Sequence, residues 1–219
     1  SDFSGAYTVS EWGATGHWES PCTDWNRPFE ANSTVKAGCY RQRYLDYIAA
    51  DQQQCLGSFV FLWGQKQERT PTWYGVFLEQ GQHTESAQVM STVWTQRPPE
   101  QPVAKLLSLD INGLQAPDSI YLTEHHLYPA RVAVDYGHKE TLSYHWELLP
   151  EIDKALESDG GDFEPRPETV WQQQGDSSLD HVMFPAPAAG EYRLFVQVLD
   201  RYGGAATANL PVLVETATT

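Results

Sequence analysis

Apolar and polar positions follow one rhythm in the first half of this chain and another in the second. Residues 6–10 (AYTVS) are short, β-branched and aromatic, which predicts a strand. In 33–50, Ala37, Tyr40, Tyr44, Leu45 and Ile48 recur at helical spacing, with Asn32 or Ser33 as N-cap. Residues 55–63 (CLGSFVFLW) are a nearly continuous apolar run, the pattern of a strand buried on both faces of a parallel sheet. A second helix is expected at 85–95. The order strand, loop, helix, strand, loop, helix puts two polar and aromatic loops, 12–32 and 64–74, after the strands. In parallel α/β folds those loops carry the chemistry.

The rhythm changes after 97–103 (RPPEQPV), a stretch with no element of its own that reads as a linker. Strands are expected at 106–111, 119–122, 130–135, 142–148, 180–184, 190–200 and 205–214. Their spacing and alternation predict an immunoglobulin-like sandwich of about seven strands. Trp146 is the expected core tryptophan, and Tyr192, just after Gly190, the expected tyrosine corner. The acidic, Pro- and Gly-containing segment 151–174 reads as a long surface loop with a short helical stretch at its start. The expected organisation is a first domain over 1–98, a linker over 99–104 and a β-sandwich over 105–216.

Charge narrows the partners. The net charge is −15, and such a surface repels nucleic acid and anionic lipid. No apolar run approaches the ~20 residues that span a bilayer, so no membrane insertion is expected. The acidity is uneven: residues 1–103 carry 7 Lys and Arg against 11 Asp and Glu, whereas 104–219 carry 7 against 18. This asymmetry supports two regions of different character. The N-terminal residues lack the pattern of a signal peptide. Cys22, Cys39 and Cys55 have no CxxC spacing, and leave open one bridge (Cys22 to Cys39) with a free thiol, or buried free thiols. The histidines have no repeated ligand spacing, so neither a metal site nor a cofactor is expected.

Aromatic content is the unusual feature. Of 8 Trp, five fall between Trp12 and Trp73. Flat indole faces stack on the apolar faces of sugar rings while neighbouring polar groups bond the hydroxyls; a single Trp more often just fills a core. Glu11 directly follows the first strand, inside VSEWG, and Trp63 ends the second, in FVFLWG. Trp12, His17 and Trp18 in the first loop, with Gln65, Lys66, Glu68, Arg69 and Trp73 in the second, form the expected binding set.

VSEWG resembles the [ST]-E-[FWY]-G pattern that ends the seventh strand in the retaining glycoside hydrolase clan built on (β/α)8 barrels, and Trp63 resembles the aromatic platform of the eighth strand. About 95 residues resemble the C-terminal part of a family 2-type barrel. The resemblance implies an α+β chain: the last two β/α units of a TIM barrel, then the sandwich, which is similar to immunoglobulin-like and PKD-type modules. It also implies a carbohydrate substrate, Glu11 as nucleophile, an acid/base about 5–5.5 Å away supplied with the remainder of the barrel by an upstream segment, and an extracellular or periplasmic location. The alternative from another class is a non-catalytic carbohydrate-binding or adhesion protein that uses the Trp-rich loops.

Overall fold

The computed structural model describes residues 4–152 and 164–217. Strand β1 (Tyr7–Trp12) pairs in parallel with β2 (Cys55–Val60), from Tyr7 beside Cys55 to Trp12 beside Val60. Between them runs α1 (Ser33–Arg43), continued by a π-helical turn, Tyr44–Ala49. Asn32 starts α1 by accepting the Val35 amide at 2.9 Å, which satisfies one orphan donor of the first turn. Helix α2 (Glu85–Thr95) follows a two-residue strand, β3 (His83–Thr84). Tyr40, Val76, Ala87 and Met90 form the small core of this region.

The remaining strands are β4 (Lys105–Ile111), β5 (Ile120–Thr123), β6 (Leu127–Asp135), β7 (Ser143–Pro150), β8 (Trp171–Gly175), β9 (His181–Pro185), β10 (Gly190–Leu199) and β11 (Gly204–Glu215). One sheet runs β11-β10-β7-β8, with β3 and β5 both parallel to β11 at its two ends, and the facing sheet runs β4-β6-β9. Their inner faces enclose the larger core around Trp146, Phe184, Leu148 and Leu194. The Trp146 indole donates to the Leu179 carbonyl at 2.8 Å, so its one polar atom is satisfied at full burial. The Tyr192 hydroxyl donates to the Ala188 carbonyl at 2.9 Å, making the expected corner. Strand β11 is buried along nearly its whole length. Its second face is covered by the first region: the Thr207 amide donates to Ser33 Oγ at 2.9 Å.

The barrel expectation is corrected here. A TIM barrel closes eight parallel strands; β1 and β2 form a sheet of two, and every other strand among the described residues belongs to the sandwich sheets. Nor is β2 buried on both faces: Leu56 and Phe59 are 75% and 66% exposed. The dominant architecture is a β-sandwich with two α-helices packed at one side. Segment 151–174 is not all loop, since β8 begins within it at Trp171; its stretch 153–163, with the expected helical start, lies outside the described residues. The Pro-rich stretch has no helix or strand but is tied to α2, where Gln88 donates to the Gln101 carbonyl and accepts from the Val103 amide.

Candidate functional site

Strand β1 delivers Glu11 and Trp12 to one end of the two-stranded sheet, where the Phe61 amide donates to the Trp12 carbonyl at 2.7 Å. The first loop then makes a single tight turn, His17–Glu19, whose Gly16 amide points to Glu19 Oε2 at 3.4 Å. Gly16 is needed for space: a Cβ there would meet the Trp18 indole at 2.6 Å. The indole can therefore fold back across the backbone, where it remains 70% exposed. In the second loop Glu68 is 2% exposed and ion-paired with Lys66 at 2.7 Å. The Tyr74 hydroxyl accepts the His17 amide at 3.2 Å, tying the two loops together. Burial, with a smaller push from the Glu68 charge, raises its pKa to about 12, so the phenol stays neutral.

These groups enclose a cleft of about 380 Å³, lined by Glu11, Trp12, Trp18, Glu19, Phe61, Glu68 and Tyr74. Three carboxylates and four aromatic rings therefore share one concavity, the size and composition of a small-ligand site. Trp12 is backed by Tyr40 and Tyr44, with ring centroids 5.6 and 6.2 Å away. Its Nε1 is buried with no hydrogen-bond partner among the described residues.

A second cleft, of about 370 Å³, lies on the other side of Trp18 and is lined by His17, Arg27, Arg69 and Arg193 among others. The guanidinium groups of Arg27 and Arg193 hold neighbouring segments in place. Arg27 pairs with Glu191 and donates to the Ile152 carbonyl, while Arg193 bonds Glu151, Asn209 and the Pro28 carbonyl. Beneath both loops, buried Glu30 accepts from Lys36, Thr70, Thr72 and Asn209.

Of the residues expected to act together, Glu11, Trp12, Trp18 and Glu68 line the first cleft. His17 is buried behind it, its ring edge-on to Trp18 and Trp73 at 5.0 and 6.1 Å. Trp73 is a core residue whose indole donates to the Thr15 carbonyl at 2.9 Å. Lys66 is spent on Glu68, and Gln65 donates to the Pro71 carbonyl, so both brace the second loop. Arg69 lines the second cleft, and its amide donates to Glu164. Trp63 does not join the set: it packs on Phe77 and Trp94, each at 5.4 Å, outside the cleft lining. Phe61 lines the cleft without having been singled out in the sequence, where it reads as part of the apolar run 55–63, and Tyr74, the last residue of the second polar and aromatic loop, lines it too. Among the described residues no group of three or more His, Cys, Asp or Glu side chains is placed to hold a metal ion. All three cysteines are free thiols, with Cys22 exposed.

No protein-family model and no curated protein sequence matches the chain. Solved structures that match in part include the soluble domain of PmoD from Methylocystis sp., at 12% identity over 51% of this chain and 97% of that one, with a TM-score of 0.34. CopC from Methylosinus trichosporium OB3b matches at 13% identity over 53% of this chain and 97% of that one, TM-score 0.32. The extracellular domain of a one component system from B. thetaiotaomicron matches at 17% identity over 55% of this chain and 16% of that one, TM-score 0.33. Likeness this weak carries no functional inference. No family model supports the family 2 resemblance. The expectation of a retaining glycosidase or transglycosidase, with Glu11 as nucleophile, is corrected together with the barrel it required. No helix among the described residues is long and apolar enough to cross a membrane.

Proposed function

We propose that this chain is a ligand-binding module whose first cleft takes a saccharide by ring stacking, without chemistry on it. One observation carries the reading: an indole that is 70% exposed, Trp18, stands over a cleft that also gathers Glu11, Glu19 and Glu68. An apolar side chain of that size is normally buried, and its exposure beside fixed acceptors suits a ligand with one flat apolar face and a rim of hydroxyls. Trp18 stacks, the carboxylates accept from hydroxyls, and Trp12, Phe61 and Tyr74 form the floor. Lys66, Gln65, His17 and Trp73 keep the loops in position. The boundary between 1–98 and 105–216 and an extracellular or periplasmic location belong to the same proposal, because polysaccharide is met outside the cell.

Calorimetric titration of β-linked oligosaccharides into the parent protein and Trp18→Ala tests it. Saturable binding by the parent, weakened about tenfold or more by the substitution, is expected, since loss of one stacked ring removes on the order of 1–3 kcal/mol. No saturable heat with any oligosaccharide, or equal affinity of both proteins, refutes the reading.

A further inference from the structure

We infer, independently of the saccharide reading, that β2 is an interface strand: its open edge pairs antiparallel with the β2 of a second copy of this chain. The product is a two-fold dimer with a continuous sheet in the order β1-β2-β2-β1. Parallel sheets are ordinarily covered on both faces, and two strands alone are marginal. Among the described residues β1 and β2 pair only with each other, so the outer edge of each meets no other strand. Leu56 and Phe59, both on β2, are among the most exposed large apolar side chains of the protein. The π-helical turn packed against β2 adds an exposed Tyr47.

Open edges are normally guarded by charge, by proline or by shortness. The other outer strands follow that rule. Strand β1 exposes Glu11, β4 carries Lys105 and Asp110, and β9 ends in Pro185. Strand β8 is polar (WQQQG), while β3 and β5 have two and four residues. Strand β2, CLGSFV, has neither charge nor proline. It is also complementary to itself, which selects a second copy as the occupant. Tyr7 lies beside Cys55 and Thr8 beside Gly57, so Leu56 is an extra residue in the strand. One inserted residue resets the alternation and brings Leu56 and Phe59 to one face. A two-fold axis between Gly57 and Ser58 then sets Leu56 of each copy directly opposite Phe59 of the other, with the small Gly57 and Ser58 between the two pairs. Apolar pairs directly opposite are the stabilising unit of antiparallel strands. The net charge of −15 opposes association at long range, but it is screened beyond ~8 Å at about 0.15 M salt and is absent from β2 itself. Such an interface uses the same patch on both copies and closes at two.

Sedimentation velocity from about 5 µM to about 500 µM protein, in about 0.15 M salt, should show the mass rise from one copy to two and stop there. Leu56→Lys and Phe59→Lys should each weaken the dimer about tenfold or more, because a charge then faces an apolar side chain across the pair. Leu127→Lys, at a strongly exposed position on β6, should leave it unchanged. The register has its own readout, in chains with Cys22, Cys39 and Cys55 changed to Ser. A Leu56→Cys chain mixed with a Phe59→Cys chain and oxidised with diamide should form disulfide-linked dimers, since directly opposite residues lie about 4.5–5.5 Å apart. Neither chain alone should do so. A single-copy mass at every concentration overturns the inference, as does a mass that climbs past two. Dimers indifferent to both lysines overturn the assignment to β2. No cross-link in the mixture, or as much in either chain alone, overturns the antiparallel pairing.

Discussion

Glu30 is a carboxylate withdrawn from water and surrounded by four donors from three parts of the chain: Lys36 on α1, Thr70 and Thr72 in the second loop, and Asn209 on β11. Removing one partner of a buried pair leaves the other charge uncompensated, so Glu30→Ala should destabilise the fold by about 3–5 kcal/mol in denaturant titration. The same group sets an acid limit. Burial pushes its pKa up, but the Lys36 charge and the bonds from Lys36, Thr70 and Thr72 outweigh this and hold it below the ordinary 4.5. The folded state therefore binds this proton less readily than the unfolded chain. Its contribution is complete above about pH 4.5 and is lost as pH falls through the lower folded value. In Glu30→Gln that part of the acid-side loss should vanish. A variant whose stability declines below pH 4.5 as steeply as the parent's would show that Glu30 is not the group responsible.

At the level of elements, the β10–β11 turn is a tight fit. Asp200 Oδ1 accepts the Tyr202 and Gly204 amides, both at 2.8 Å, and a Cβ on Gly204 would meet Asp200 Oδ2 at 2.3 Å and Val103 at 2.5 Å. Gly204→Ala should cost about 1–3 kcal/mol, with the loss read in the thermal or denaturant midpoint; a neutral result would mean that the turn opens freely. Most elements were legible because their periodicity is local: α1, α2 and the long sandwich strands announce themselves in apolar spacing. Strand β8 (WQQQG) was not legible, because an edge strand with four exposed residues in five has no alternation to read. Strand β3 was missed because two residues pair with a segment more than a hundred positions away. The apolar run of β2 identified a strand but not which faces are covered. At the site, the clustering of Trp with Glu in the loops after β1 and β2 located the cleft. Depth was invisible to it: Trp73 went to the core and Trp63 to a separate aromatic cluster.

For the whole molecule, 29 acidic against 14 basic residues make self-repulsion a standing load on the compact state. The thermal midpoint should therefore rise by a few degrees between about 0.01 M and about 0.15 M monovalent salt, as the screening length contracts from ~30 to ~8 Å. A flat response would mean that the charges are spread too widely to interact. Connections between the two regions run through several parts of the fold: β3 lies on β11, Ser33 accepts from Thr207, Arg193 reaches the Pro28 carbonyl, and Glu30 holds Asn209. None of these contacts uses the exposed Pro-rich stretch that joins the regions in sequence. A protease that nicks the chain between Gln96 and Gln101 should therefore release nothing: the two pieces should travel together through a sizing column and come apart only in denaturant. The peptide bonds of that stretch set the order of the two pieces in the chain, while the contacts that keep them together after cleavage are non-covalent.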